Sequence, residues 1–369
     1  MNQLFRWDQM GLFLLALAAG ILPFAVPEVC AAALREGLTL CSGPLLLSLF
    51  PFLVVSRLLV QCPESDLLAL PFRLAAWGIG IRTPCAARVL CIGFLGGFAP
   101  AASAVAQAVR TGQLTAEEAD ALLPACICSG PSFVVLTVGQ SLLGSAELGV
   151  LLFASQITAN YLTAALLNRF AGVRSVKLGS AAPASPAPPR LDEILADAAI
   201  TYCKLCGFIL FFRMLAAGAG ALLPADAGTL CSILLEVCSG CDLASRTGRW
   251  GSLLCCAALS VQGLSVLLQV RTICPPEMTL RPLYRARMLH LPLSLALFYL
   301  LLPGGEADVF STLPARVLLM RRVPPDCALL VFAVCCMAAC TLRSGIRQVE
   351  QKQMARNAGG CCINSKTLL

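Results

Sequence analysis

This chain consists mainly of long apolar runs that are separated by short polar or charged stretches. In its first half the runs cover residues 10–27, 37–60, 88–110, 121–143 and 148–168. Each run is close to the roughly 20 residues that an α-helix needs to cross the hydrocarbon core of a bilayer. The pattern therefore predicts an all-α polytopic membrane protein, with the lipid bilayer as its first partner.

The same pattern returns after a change of composition at 171–190. That stretch has four prolines among alanines and serines, which is typical of a linker and not of a span or a packed core. Apolar runs then follow at 197–223, 229–243, 252–270, 288–302 and 324–342, before a basic tail. The order of the runs echoes the first half and predicts two repeats.

Helix-weakening residues interrupt two runs at mid-length. The run 88–110 is broken at 96–100 by Gly-Gly-Phe-Ala-Pro, and the run 121–143 is broken at 129–132 by Ser-Gly-Pro-Ser. In lipid, the backbone groups that a break frees must find protein, water or a ligand, and a half-helix N-terminus favours anionic or hydrogen-bonding groups. The breaks predict a solute site. Close helix packing through small residues is the alternative.

Composition excludes a water-soluble globular protein. Hydrophobic residues make up 58% of the chain and charged residues 13%, with a mean hydropathy of +0.82, whereas soluble domains carry about 25% charged residues. The 27 Lys and Arg against 20 Asp and Glu give a net charge of +7. In a membrane protein this excess is an orientation signal, so no nucleic-acid partner is predicted.

The distribution of basic residues predicts the orientation. If the linker and the tail are cytoplasmic, and if 88–110 and 229–245 are re-entrant hairpins, about eight crossings of the cell membrane result, with both termini in the cytoplasm. The two halves then have opposite topology, an inverted repeat of the kind that builds many secondary transporters. The arginines of one loop, 316–322, fall on the outer side and disagree. The alternative is ten plain crossings without a repeat.

These patterns divide the chain into six segments, which leave little sequence for a folded domain outside the membrane. The segments are an N-terminal membrane span (1–36), a first repeat (37–170), the linker (171–190), a second repeat (191–303), a C-terminal span with the loop before it (304–342) and the basic tail (343–369). One short motif also makes a specific local prediction. Thr115-Ala116-Glu117-Glu118 predicts a helix N-cap with carboxylates in the first turn.

Neither the 21 cysteines nor the single histidine indicates a catalytic or metal centre. CxxC and CC pairs are only slightly above chance, and most cysteines lie in apolar runs, where they act as small packing residues. A metal or redox site is the alternative, although only His290 is present to complete a Cys/His cluster. His290 is interpreted as an interfacial residue, with proton coupling as the alternative. Because HExxH, P-loop and GxSxG motifs are lacking, neither an enzyme nor a cofactor is predicted.

Five short motifs carry a resemblance to a known family. They are the apolar Leu-Leu-Leu-Ser-Leu-Phe-Pro-Phe-Leu-Val-Val-Ser-Arg-Leu-Leu-Val segment at 45–60, Gly-Phe-Leu-Gly-Gly-Phe-Ala-Pro at 93–100, Cys-Ser-Gly-Pro-Ser-Phe at 128–133, Leu-Glu-Val-Cys-Ser-Gly at 235–240 and Ser-Val-Gln-Gly-Leu-Ser at 260–265. The chain resembles the nucleoside-recognition (Gate) domain family over about 37–302, and within it the sporulation integral membrane protein YlbJ family. The resemblance implies a role in spore cortex formation, with sporulation membrane proteins as partners.

The resemblance also implies where a solute would bind. Wider relatives include concentrative nucleoside transporters, which surround the solute with two re-entrant hairpins and two unwound helices. The similar positions here are Gly96 to Ser103 and Glu236 in the hairpins, and 129–132 and 260–265 in the unwound stretches. Gly97-Phe98-Ala99 stands where the transporters carry Gln-Thr-Glu, a departure in the first hairpin.

The candidate solute-binding set joins the breaks with nearby polar residues. Its members are Gly96, Gly97, Phe98, Pro100, Ser103, Ser129, Gly130, Pro131, Ser132, Asn160, Glu236, Ser239, Gly240, Ser260, Gln262 and Ser265. Glu236 is the first candidate, because an ionisable group in an apolar run is costly unless it faces a cavity or a partner. A structural pair with Arg213 and an interfacial location are the alternatives. The predicted function is binding or movement of a small polar solute, and the alternative is a non-transporting scaffold for spore-envelope assembly.

Overall fold

The computed structural model describes residues 2–61, 67, 69–171 and 190–302. Helices make up 86% of these residues and no strand occurs among them, so the all-α prediction is confirmed for this part of the chain. The predicted C-terminal span, the basic tail and nearly all of the predicted linker lie outside the described residues.

Fourteen α-helices and one long π-helix form the described structure, with a 3₁₀ turn at Gly248–Trp250. The helices are α1 (Asn2–Ala25), α2 (Pro27–Ser42), α3 (Pro44–Gln61), α4 (Leu70–Gly78), α5 (Pro84–Gly96), α6 (Phe98–Arg110), α7 (Ala116–Cys126), the π-helix (Ser132–Leu142), α8 (Ala146–Phe170), α9 (Leu191–Leu222), α10 (Ala225–Leu235), α11 (Val237–Ser245), α12 (Gly251–Val261), α13 (Gly263–Ile273) and α14 (Arg281–Leu301).

The N-terminal region differs from the pattern expected from the sequence. Helices α1 and α2 meet at Val26 with a bend of 111°, because Pro27 lacks the N–H that would continue the first helix but is well suited to begin a second one. Helix α2 then continues to Ser42, through the start of the apolar run 37–60. That run is therefore shared between α2 and α3.

Three described helical stretches are long and apolar enough to cross a membrane. They are α8, α9 and the stretch Gly248–Ile273 that contains α12 and α13; the bent pair α1–α2 makes a fourth if it is one span. Among the described residues, the other predicted crossings are divided by breaks or, like α14, begin with several arginines. A membrane protein is therefore supported, while the count of eight crossings stays a prediction.

Two pairs of short helices fold back on each other. Helices α5 and α6 are joined by Gly97 alone and pack along each other, and α10 and α11 are joined by Glu236 alone and do the same. Helices α12 and α13, joined by Gln262, follow end to end, as do α7 and the π-helix across residues 127–131. Apart from the short α4, which has no counterpart in the second half, each half thus has the order helix, hairpin, interrupted helix, helix: α3 to α8 and α9 to α14. The last helices of the halves, α8 and α14, pack on each other.

Small side chains build the core around the hairpins. Alanines of α5, α6 and α7 are almost completely buried, and eleven of the fourteen described cysteines are buried as well. This burial agrees with the interpretation of cysteine as a packing residue. The predicted N-cap is also confirmed, since Thr115 Oγ1 accepts the Glu118 N–H (3.1 Å) and Glu118 reaches back to the Thr115 N–H in a capping box.

Candidate functional site

The interruptions of four helices meet in two pairs. Gly97 turns at φ +82°, and a Cβ placed on it would lie 2.7 Å from the backbone N of Gly130. Gly263 turns at φ +70°, and a Cβ there would lie 2.9 Å from the backbone N of Glu236. The first hairpin therefore touches the interruption between α7 and the π-helix, and the second hairpin touches the interruption between α12 and α13.

One backbone carbonyl connects the two pairs of interruptions through hydrogen bonds. Ile127 O, at the C-terminal end of α7, accepts Asn160 Nδ2 from α8 (3.4 Å), Gln262 Nε2 from the second interrupted helix (3.4 Å) and Nη2 of Arg287 from α14 (2.9 Å). We call the region formed by the four interruptions and these side chains the junction. Asn160 and Gln262 are both 1% exposed, so the junction is buried inside the protein.

Arg287 is the cation at the junction. Besides Ile127 O, its Nη2 donates to Asn160 Oδ1 (3.3 Å) and its Nη1 to Ser260 O (3.4 Å), while its Nε–H has no partner. Arg287 is 7% exposed, and no carboxylate among the described residues forms an ion pair with it. A charge held in this way by neutral acceptors is costly unless the surrounding dipoles favour it.

A polar network extends from the junction between α8, α12 and α14. Gln156 Nε2 donates to Ser260 Oγ (2.9 Å) and to Cys256 O (3.2 Å), and Ser260 shares a short hydrogen bond with Ser294. His290 is 1% exposed and its Nε2 is 3.2 Å from Gln156 O. The His290 side chain therefore lies inside the helix bundle and is not exposed to lipid headgroups or water.

Glu236 caps α11 from the tip of the second hairpin. Its carboxylate accepts the backbone N–H groups of Cys238 (2.8 Å) and Ser239 (2.7 Å), where the N-terminal end of the helix favours a negative charge. Glu236 is 2% exposed, so its carboxylate lies inside the protein and does not face lipid or water. The proposed pair with Arg213 is also not formed, since Arg213 Nη2 binds Glu36 at 2.8 Å. The local cap removes the need for a distant cation.

Besides Arg287 Nε, the buried polar atoms that have no protein partner in the described structure include Ser103 Oγ and Gln262 Oε1. Ser103 Oγ lies in α6, two turns beyond Gly97, and Gln262 Oε1 lies at the break between α12 and α13. Both residues are at least 98% buried. Buried polar groups in proteins are almost always hydrogen-bonded. The two atoms are therefore places where a ligand or water would gain a hydrogen bond.

The structure brings together only part of the predicted set. Gly97, Gly130, Asn160, Glu236, Ser260 and Gln262 form the junction or touch it. Ser129 and Pro100 are buried beside it, Phe98 and Pro131 are half-buried, and Gly96 packs against Pro100 and Phe52.

Two predicted residues serve other contacts, and a third is exposed. Ser265 Oγ accepts Gln269 Nε2 one turn along α13 (2.8 Å). Ser132 is exposed at the start of the π-helix. Gly240 lets α11 pack on α10, because a Cβ there would lie 2.8 Å from Ile233 Cα. These contacts are structural, and nothing in them points to a solute.

Sequence reasoning missed the contribution of α14. Arg287, His290 and Ser294 are spaced by three and four residues, which places them on one face of a helix, and all three are buried. In the sequence, Arg287 is only the last of several arginines between residues 271 and 287. The spacing of polar residues within an apolar helix was the signal that identifies this face.

A cleft of about 510 Å³ opens beside the second hairpin. It lies between α2, α9, α10 and α11, and the Glu36–Arg213 ion pair and Ser232 line its wall. Ser239, whose N–H binds Glu236, lines it too. The cleft therefore leads to the helix end that Glu236 caps. In the described residues no group of three His, Cys, Asp or Glu side chains is placed to hold a metal ion.

Comparison with known proteins gave no match, whether with family models, with curated proteins or with solved structures. The resemblance to Gate-domain proteins, and the sporulation role that it implies, therefore stay predictions.

Proposed function

We propose that this chain is an integral membrane protein with a transporter-like fold, which binds and moves a small polar solute at the junction. The meeting of four helix interruptions carries this proposal. Interrupted helices expose backbone groups and helix ends, and in secondary transporters built from repeats such helices form the solute site near the middle of the membrane.

The proposed arrangement in the membrane has about eight crossings, with both hairpins re-entrant and both termini in the cytoplasm. The repeated order of helix, hairpin, interrupted helix and helix supports it, because the second half reproduces every element of the first except α4. An odd number of predicted crossings separates the two hairpins. The second hairpin therefore enters the membrane from the side opposite to the first, and the two halves have opposite orientation. That is the inverted repeat expected for alternating access.

The cellular setting proposed is sporulation, and the motifs at 93–100, 128–133 and 235–240 support it through their resemblance to the YlbJ family. A scaffold for spore-envelope assembly is the alternative. A scaffold has no need of unpartnered buried polar atoms near its helix breaks, and Gln262 Oε1 at one break and Ser103 Oγ farther along α6 are such atoms. They favour a solute-binding protein.

The test is a thermal-shift titration of purified protein with nucleosides and soluble cell-wall precursors. We expect one class to raise the melting temperature in a saturable way. Ser103→Ala should leave the empty protein as stable or slightly more stable, because it removes a buried hydroxyl that has no partner. The same variant should weaken solute binding by about tenfold, the equivalent of one hydrogen bond of about 1.4 kcal/mol.

Ser155→Ala is the matched control, since Ser155 is also fully buried but its hydroxyl already donates to Leu152 O within α8 (2.8 Å). This control should not change solute binding. A panel in which no compound shifts the melting temperature would favour the scaffold, and an equal loss of binding in both variants would contradict a contact with Ser103.

A further inference from the structure

Arg287 lies between the C-terminal ends of two half-helices. Ile127, whose carbonyl accepts Nη2 at 2.9 Å, is the C-cap residue of α7. Ser260, whose carbonyl accepts Nη1 at 3.4 Å, is in the last turn of α12. The two helices belong to different halves of the chain, and each is the first part of an interrupted helix. The guanidinium thus joins equivalent elements of the two repeats.

The electrostatics of these helix ends explain how the cation is held. The C-terminal end of a helix carries about half a negative charge, spread over carbonyls that have no partner within the helix. Two such ends offset about one positive charge, which is the charge of one guanidinium. No described carboxylate pairs with Arg287, so the two helix ends take the place of an acidic partner.

In repeat-built secondary transporters, unwound carbonyls and half-helix C-terminal ends hold the coupling cation, Na⁺ or H⁺. Here a side chain of the protein already occupies such a position. Na⁺ prefers oxygen ligands, and the oxygens of Ile127, Ser260 and Asn160 that a cation would use are the acceptors of the guanidinium.

We propose that Arg287 is a built-in cation, which replaces an external coupling ion between the ends of α7 and α12. The charge that closes the two interrupted helices is then always present, and their closure does not depend on Na⁺ or on another metal cation. The further consequence, that solute binding needs no coupling cation, rests on the proposed function. The placement of the charge does not, because it concerns the stability of the empty protein.

The first test uses the wild-type protein without any solute. Its melting temperature is measured in sodium, potassium, lithium and choline chloride at equal ionic strength. We expect the same value in all four salts, because the position between the helix ends is already filled. A saturable increase with Na⁺, K⁺ or Li⁺ over choline would overturn the proposal.

The second test removes the charged side chain by mutation and then adds guanidinium from solution. Arg287→Ala should lower the melting temperature strongly and leave a cavity lined by carbonyl oxygens. Guanidinium chloride at low millimolar concentration, far below denaturing levels, should restore most of the loss, while the same concentration of choline chloride should not. Arg287→Met is the matched control, because its side chain fills the cavity with an apolar group and should not respond to guanidinium.

Arg287→Lys covers the case in which the alanine variant does not fold, since it keeps the charge and should be purified as a folded protein that is insensitive to Na⁺. Equal responses of the alanine and methionine variants to guanidinium would overturn the proposal, as would a lysine variant no more stable than methionine. If no solute is found but guanidinium rescues Arg287→Ala, the proposed function fails and the built-in cation stands.

Discussion

Gly97→Ala is expected to abolish the folded protein, measured as the yield of monodisperse protein after detergent extraction. Gly97 has φ +82° and ψ −165°, a conformation that is almost confined to glycine and that costs other residues about 1–3 kcal/mol. In addition, the new Cβ would lie 2.7 Å from Gly130 N and 3.0 Å from Gly130 Cα. Because both neighbours are backbone atoms, neither can move aside unless the two interruptions separate.

Gly112→Ala is the control for this variant. Gly112 also has a positive φ, +70°, but a Cβ there meets nothing within 4 Å. We expect a loss of about 1–2 kcal/mol from the backbone conformation alone, with folded protein still obtained. Equal yields for Gly97→Ala and Gly112→Ala would mean that the first hairpin does not touch the interruption near Gly130.

Gly263→Ala is expected to have the second largest effect, a severe loss of folded yield together with loss of any solute binding. Gly263 has φ +70°, and its Cβ would lie 2.9 Å from Glu236 N, Leu235 C and Leu235 O. The substitution therefore combines the conformational cost of about 1–2 kcal/mol with a clash against the tip of the second hairpin. That tip also carries the Glu236 cap of α11.

Gly248→Ala is the corresponding control, with φ +65° and open space around the Cβ. It should keep most of the yield. A folded Gly263→Ala protein with the melting temperature of Gly248→Ala would contradict the contact between the second hairpin and the second interrupted helix.

Local sequence signals predicted the interruptions well. The Gly-Gly-Phe-Ala-Pro break was placed at 96–100 and the turn occurs at Gly97, because only glycine adopts its backbone conformation without strain. The Ser-Gly-Pro-Ser break at 129–132 corresponds to the end of α7 and the start of the π-helix. The capping box at Thr115 was also correct, since it needs only residues three positions apart.

Partners that are distant in the sequence were not predictable in the same way. Arg287 is 160 positions from Ile127, and its acceptor is a backbone carbonyl that any residue type would supply. Arg213 was matched with Glu236 because both lie in apolar runs, but packing of α2 on α9 brings it to Glu36 instead. Glu236 has its partners two and three residues away, in the backbone of α11, and needs no cation.

The central claim, that the two short helix pairs are re-entrant hairpins in an inverted repeat, is tested most directly by the side of the membrane on which three loops lie. A protease recognition sequence is inserted after Gly112, Arg190 or Gly248, which are all exposed. Cleavage is then measured in right-side-out and inside-out vesicles. Insertions avoid replacing all 21 cysteines, many of which are buried in the core.

With re-entrant hairpins, two crossings separate 112 from 190 and one crossing, α9, separates 190 from 248. We therefore expect cleavage after Gly112 and Arg190 only in inside-out vesicles, and cleavage after Gly248 only in right-side-out vesicles. Ten plain crossings would place all three sites on one side. Cleavage of the Gly248 site from the same side as the Arg190 site would therefore contradict the hairpins and the inverted repeat.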